Sequence, residues 1–251
     1  MITNQIPETW RDLQIKVGAI LEQCGFKTEV EKTLTSVRGK VELDIYAEEV
    51  IDGRQYSIVC ECKYWRSNIP QTVIHGFRTV INDLGCNIGY IITTSDFQIG
   101  AVAAVEKTNV ELLTWEKFQA IFFKSWYSNH FCRSLIKFTY LDVEYSWVDW
   151  FDDLTPEDRS IYNELKNKLG EIDEVKSHFS YPILDKIDLN FIIPKLPLCE
   201  NLYNGDYYGY FPREVLNETG YEELLWKLKT YSKPLIDDFK KLDKKYSELQ
   251  Q

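Results

Sequence analysis

Nowhere in the 251 residues do apolar side chains run unbroken for the roughly 18 positions that a membrane-spanning helix requires. The stretch from Met1 to Arg11 holds no apolar core of the kind a secretory signal has, so a cytoplasmic protein without membrane contact is expected. The cysteines (24, 60, 62, 86, 132 and 199) are scattered, which argues against a disulfide framework and for reduced thiols. Zinc ligation is not expected. Cys60 and Cys62 form a C-x-C pair rather than C-x-x-C, and His130 with Cys132 has no second pair at ligand spacing. No Walker or G-x-G-x-x-G pattern offers a phosphate cradle, and there is no internal repeat or low-complexity tract.

Positive charge is also in short supply. The chain carries 29 Lys and Arg against 39 Asp and Glu, for a net charge of −10. Residues 1–124 have 13 basic against 16 acidic side chains, and residues 125–251 have 16 against 23. Nonspecific affinity for nucleic acid rests on neutralising phosphates, so any such ligand must be met by a local basic patch.

What is present is a periodic first half. Thr9, with Asp12 as its capping partner, opens a helix with Trp10, Leu13, Val17, Ile20, Leu21 and Cys24 on one face, closed by Gly25. Phe26, Thr28 and Val30 alternate as a strand. Val41, Leu43, Ile45 and Ala47 then point one way from a second strand, with Glu42, Asp44 and Tyr46 on its other side. Asp52-Gly53 signals a hairpin turn into a third strand, Gln55 to Trp65, where Ile58, Cys60, Cys62 and Tyr64 face away from Val59, Glu61 and Lys63. Pro70 lies at the start of a helix ending at Gly85, and Asn87 to Thr94 reads as a strand covered on both faces. Ser95 or Asp96 is expected to cap a short helix through Ala101–Val105, before a strand at Val110 to Thr114 and a helix from Trp115 to Phe123. The core order is α-β-β-β-α-β-α-β, an α/β fold.

Charges at the centre of the third strand call for a reason. Glu61 and Lys63 project from the same face, and the hairpin register can bring Asp44 opposite. Two carboxylates about 4 Å apart repel by roughly 4 kcal/mol at an effective dielectric near 20, which a cation resolves. Asp44, Glu61 and a backbone carbonyl such as that of Cys62 are oxygen ligands suited to a hard divalent ion, Mg²⁺ or in its place Mn²⁺. Lys63 is then placed to orient or help deprotonate water and to stabilise charge on a phosphorane. Basic residues near this strand pair are Lys32, Arg38, Lys40, Arg66 and Arg78. Of these, Arg38, Lys40 and Arg66 are the expected nucleic-acid contacts along a duplex phosphate track. His75 reads as a packed or surface histidine.

Residues 10–118 resemble the Mrr-like branch of the PD-(D/E)xK restriction-endonuclease superfamily. The resemblance is carried by Arg38 to Asp44 (RGKVELD), Val59 to Trp65 (VCECKYW), Gly89 to Ser95 (GYIITTS) followed by Phe97 and Gly100-Ala101, and Glu111 to Trp115 (ELLTW). It implies metal-dependent hydrolysis of phosphodiester bonds in double-stranded DNA, with Asp44, Glu61 and Lys63 as the catalytic core, and a role in prokaryotic defence against foreign genomes. The family often has a glutamate on the first helix; the matching position here is Gln14, which orders water or ligand without charge and puts a second metal in doubt. Gln71, opening the helix after the Glu-x-Lys strand, is a further candidate contact with substrate.

Residues 125–251 read differently and are expected to form a separate, mainly helical region. They hold 23 of the 36 aromatic side chains, dense at 140–151 (YLDVEYSWVDWF) and 203–211 (YNGDYYGYF). A helix is expected from Thr155-Pro156 to about Lys176, then a proline-rich connection (Pro182, Pro194, Pro197). Another helix follows Gly220, and a last one is opened by Pro234 and runs to Leu249. Aromatics at this density serve first as core. Their acidity argues against stacking on nucleic acid, so a protein partner or self-association is the expected function of 125–251, with gating of the nuclease by that contact. Two other readings stay open on the sequence: a non-catalytic subunit that keeps the nuclease fold for binding, and a nuclease directed at RNA.

Overall fold

The computed structural model describes residues 1–139, 145–184, 193–201 and 211–249. The aromatic segments at 140–144 and 203–210 lie outside the described residues. The chain divides into two compact units, Met1–Asn129 and His130–Gln251.

The first unit is built on one five-stranded sheet in the order β1-β2-β3-β4-β5. The strands are β1 (Lys27–Ser36), β2 (Gly39–Ile51), β3 (Arg54–Lys63), β4 (Ile88–Thr93) and β5 (Val110–Thr114). The first three form an antiparallel meander, while β3, β4 and β5 run parallel. Helices α1 (Trp10–Gln23), α2 (Gln71–Leu84), α3 (Ile99–Ala104) and α4 (Trp115–Trp126) flank the sheet, so the element order is the one the periodicity gives.

Local chemistry explains the boundaries. The Thr9 hydroxyl accepts the Asp12 N–H at 3.1 Å to start α1, and Thr114 does the same for α4 with the Lys117 N–H. Gly85 ends α2 in the left-handed conformation a side chain resists. The cap of α3 is Gln98 rather than Ser95 or Asp96. Ser95 is engaged instead with Thr93 and the Ser67 carbonyl, and the Asp96 carbonyl accepts the Ile69 N–H. Trp10, expected on the buried stripe of α1, is half exposed, while Leu13, Val17, Ile20, Leu21 and Cys24 are buried as expected.

The β2–β3 turn has φ of 50° at Asp52 and 76° at Gly53, the double left-handed geometry that matches strand twist in a two-residue hairpin. It pairs Ile51 with Arg54 and fixes every rung down to Ile45 opposite Cys60.

The β1–β2 pair carries an irregularity that alternation does not reveal. Leu43 and Tyr46 both pack into the apolar core that includes Ile74, Phe77 and Ile81 of α2, although a regular strand would send them to opposite faces. Facing them in β1, Glu31 has φ 57°, and the rung between Glu31 and Asp44 is missing from an otherwise continuous ladder. Thr28 and Val30, before the break, lie against Gly18 of α1. Leu34, beyond it, packs into the α2 core. The expected face of Val41, Leu43, Ile45 and Ala47 is therefore split at Asp44.

The second unit is helical: α5 (Cys132–Thr139), α6 (Pro156–Leu184), α7 (Leu198–Asn201), α8 (Arg213–Leu216) and α9 (Tyr221–Ser247). Its described aromatics are largely core. Trp150 is buried among Tyr162, Phe239 and Tyr246, with ring centroids 5.7, 6.4 and 5.5 Å away, and its indole N–H donates to Asp243 at 2.9 Å. Two expectations are corrected. Helix α6 continues past Lys176 through Pro182, and α9 runs through Pro234 without a break. The buried stripe Leu224, Leu228, Ser232, Ile236, Phe239, Leu242 keeps helical spacing across that proline, and packing along it outweighs the one lost N–H donor. Among the described residues no helix is long and apolar enough to cross a membrane.

Candidate active site

The last β2–β3 rung pairs Ile45 with Cys60, so the next step along the hairpin sets Asp44 opposite Glu61. There the ladder gives way to side-chain chemistry. The Cys62 N–H donates not to a backbone carbonyl of β2 but to the Asp44 carboxylate, at 2.6 Å. The other carboxylate oxygen accepts the side-chain amide of Gln14 at 2.9 Å. Asp44 thus fills a fork between two diverging strands. A strand residue directs its N–H and C=O to the same edge, so the Cys62 carbonyl faces the fork as well. Glu61 stands beside it, and the Lys63 ammonium rests on a Glu61 carboxylate oxygen. All of this sits at the carboxyl end of parallel strand β3, where open α/β sheets place their ligands.

Gln14 is fully buried on α1, and its Oε1 accepts from Arg11, which is also ion-paired with Glu31 at the break in β1. The Asp44 carboxyl titrates above the ordinary aspartate range. Burial is the main cause and the Glu61 charge the next, against the opposing pull of the Cys62 N–H, Lys63 and Gln14. Among the described residues there is no group of three or more His, Cys, Asp or Glu side chains able to hold a metal. The donor set here is two carboxylates and a backbone carbonyl, all oxygen, with negative charge the protein leaves under-compensated. Those residues fit a hard divalent cation that keeps part of its water shell.

The other expected site residues are spread around the same end of the sheet. Arg38 and Lys40 flank Gly39 at the β1–β2 turn, where β2 begins, and Arg66 follows the end of β3. Lys40 and Arg66 are exposed. Arg38 is exposed too but bonded to Asp83 of α2 at 3.0 Å, so its charge is partly compensated. Lys32 lies over the Tyr46 ring, and Arg78 donates to the Ala104 carbonyl. Both therefore serve structure. Gln71, the first residue of α2, meets exposed His75 at 3.0 Å and lies over Gly100, where a Cβ would stand 3.0 Å from its Oε1. The structure does not bring Gln71 into contact with the Asp44 fork among the described residues.

Sequence reading missed Thr93. It is fully buried at the end of β4, its hydroxyl lies 2.9 Å from the Lys63 carbonyl, to which it donates, and it also meets the Ser95 hydroxyl at 3.0 Å. Ser95 in turn donates to the Ser67 carbonyl. These hydroxyls pin the end of the Glu-x-Lys strand and the loop after it. The signal was available as a Thr-Thr-Ser run closing an otherwise apolar strand, a place where hydroxyls replace the ladder.

Residues 8–122 match the family model Mrr_cat, described as a restriction endonuclease. No curated protein matches the chain. A solved structure titled "Crystal Structure of Protein of Unknown Function AF1548" aligns over 70% of this chain and 96% of that one, at 16% identity and a TM-score of 0.36.

Proposed function

We propose, from a first unit that carries a restriction-endonuclease domain of the Mrr type, that this protein is a divalent-cation-dependent endonuclease acting on double-stranded DNA. Asp44, Glu61 and the Cys62 carbonyl would hold Mg²⁺ or Mn²⁺. When bound, such an ion supplies Lewis acidity to the phosphate and to a coordinated water. The chain's own groups do the rest. Gln14 and the Cys62 N–H fix the Asp44 carboxylate in one orientation, and Glu61 holds the Lys63 ammonium. Lys63, held as the ammonium, orients the attacking water by donating a hydrogen bond to its oxygen, and the water's proton passes to solvent. Lys63 also stabilises negative charge on the phosphate as the water oxygen bonds to phosphorus and the ester P–O bond breaks. Lys40, Arg66 and Arg38 track the backbone phosphates, with Gln71 as a further substrate contact.

The observation that supports this reading most is the fork itself: a half-buried carboxylate inserted where a sheet would otherwise pair, next to a Glu–Lys pair. The test is cleavage of supercoiled plasmid in Mg²⁺ or EDTA by wild type and Lys63→Ala. Nicking that needs Mg²⁺ and falls by about 10²-fold or more in the variant is expected. Cleavage in EDTA, or undiminished cleavage by Lys63→Ala, would overturn it.

The biological setting that suits such an activity is cytoplasmic defence against foreign DNA. We assign gating of the nuclease to the acidic residues 125–251, through a protein partner or a second copy of the chain. Tight binding of the isolated protein to random DNA at physiological salt would count against gating.

A further inference from the structure

Directly after Lys63 come two large aromatics, Tyr64 and Trp65, each 41% exposed. Apolar side chains exposed singly are ordinary, but an adjacent pair at the edge of a catalytic strand is not scattered surface. Among the described residues neither ring has an aromatic or cationic partner. Nor is their exposure the slack of a loose loop. The segment between β3 and α2 is braced at both ends: at its start the Thr93 hydroxyl bonds the Lys63 carbonyl, and further on the Ser95 hydroxyl bonds the Ser67 carbonyl. Ile69 is fully buried, donates its N–H to the Asp96 carbonyl at 2.8 Å and accepts the Gln98 N–H at 3.0 Å. The rings are therefore displayed on a fixed frame, with the exposed Arg66 guanidinium following them.

A rigid, unpartnered aromatic pair with a cation beside it is the composition that stacks on nucleobases while meeting a phosphate. Inside a regular duplex each base already stacks on both sides. A protein ring reaches a base face only where a base is unpaired or a step has been opened, at a cost of a few kcal/mol that mismatched or unpaired bases largely avoid. Resting on the nuclease reading above, we propose that Trp65, supported by Tyr64, stacks on a base next to the scissile phosphate, so that the site favours duplex DNA containing an unpaired base over fully matched duplex.

The test is binding of the full chain to three fluorescent DNAs of one sequence: a matched duplex, a duplex with one unpaired base and the single strand. Ca²⁺ serves as the divalent ion, since it accepts the same oxygen ligands. Wild type is expected to bind the unpaired-base duplex about tenfold more tightly than the matched one, and Trp65→Ala to lose that preference. Trp65→Phe keeps most of it. Trp226→Ala, which removes an exposed tryptophan of the second unit, leaves it unchanged. With 2-aminopurine as the unpaired base, wild type quenches its fluorescence and Trp65→Ala does not. Equal affinity for both duplexes, or a preference that survives in Trp65→Ala and Tyr64→Ala, overturns the stacking proposal while leaving the nuclease reading to its plasmid test. Failure to bind any of the three DNAs also overturns the stacking proposal, and the nuclease reading again stands or falls by its plasmid test.

Discussion

The Asp44 carboxyl receives two hydrogen bonds and lies near an ammonium, yet it titrates above the ordinary aspartate range because burial and the Glu61 charge together outweigh them. The sign of the consequence follows. A carboxyl whose folded value is raised adds stability below its unfolded value of 3.8 and loses that contribution as pH rises through the folded value. At neutral pH the ionised Asp44 is thus a cost that a bound cation relieves, and protons compete with the cation as pH falls. The rise in thermal midpoint caused by Mg²⁺ should be largest near neutrality and fade toward about pH 4, as differential scanning across pH would show. Gln14 gives a second expectation. Its amide donates to Asp44 from a fully buried position, so Gln14→Glu replaces a donor with a third carboxylate. In EDTA this should cost about 2–4 kcal/mol, with Mg²⁺ recovering more stability in the variant than in wild type. Asp44, Glu61 and Lys63 were legible because charge interrupts an alternating strand. The burial of Gln14 was not, since an amide on a helix face carries no sign of what it will meet across the sheet.

At the scale of elements, α2 lies so close to β4 that the chain uses Gly89 between them. A Cβ there would come within 2.7 Å of both Ile81 and Phe77 side chains. Gly89→Ala should therefore destabilise the protein by about 1–3 kcal/mol through overpacking, measured by urea unfolding. In the second unit, Asp158 near the start of α6 accepts from Lys245 at 2.6 Å and the Tyr246 hydroxyl at 2.5 Å, both near the end of α9. These bonds, Lys245 first and Tyr246 next, hold the Asp158 carboxyl below its ordinary value. Its contribution is present above the unfolded value of 3.8 and lost as pH falls through the depressed one. Asp158→Asn should lower the thermal midpoint at neutral pH, and the gap to wild type should close in acid. Element order in the first unit was readable because caps, turns and periodicity agree there. Two features escaped. The break at Glu31 and Asp44 breaks the alternation that serves to find strands, and Pro234 is overruled by a buried stripe whose packing partners lie far away in sequence.

For the whole molecule, a net charge of −10 means that DNA is met by few cations against a repulsive background. If Arg38, Lys40 and Arg66 supply the phosphate contacts, affinity for DNA should fall by roughly 40-fold between about 50 and 200 mM salt, the slope expected for about three neutralised phosphates. Loss of one slope unit in Lys40→Ala, read from salt titrations by anisotropy, would assign its share. The hairpin turn at Asp52-Gly53 carries a different consequence at this scale. Surface turns are where chains usually accept extra residues without penalty. This one is a ruler. It counts the residues on each arm so that Asp44 arrives across from Glu61, and one residue added at the tip would turn every side chain on one arm to the opposite face of the sheet. A solvent-facing bend remote from the chemistry is therefore a place where the length of this chain is held fixed, while its side chains remain free to vary.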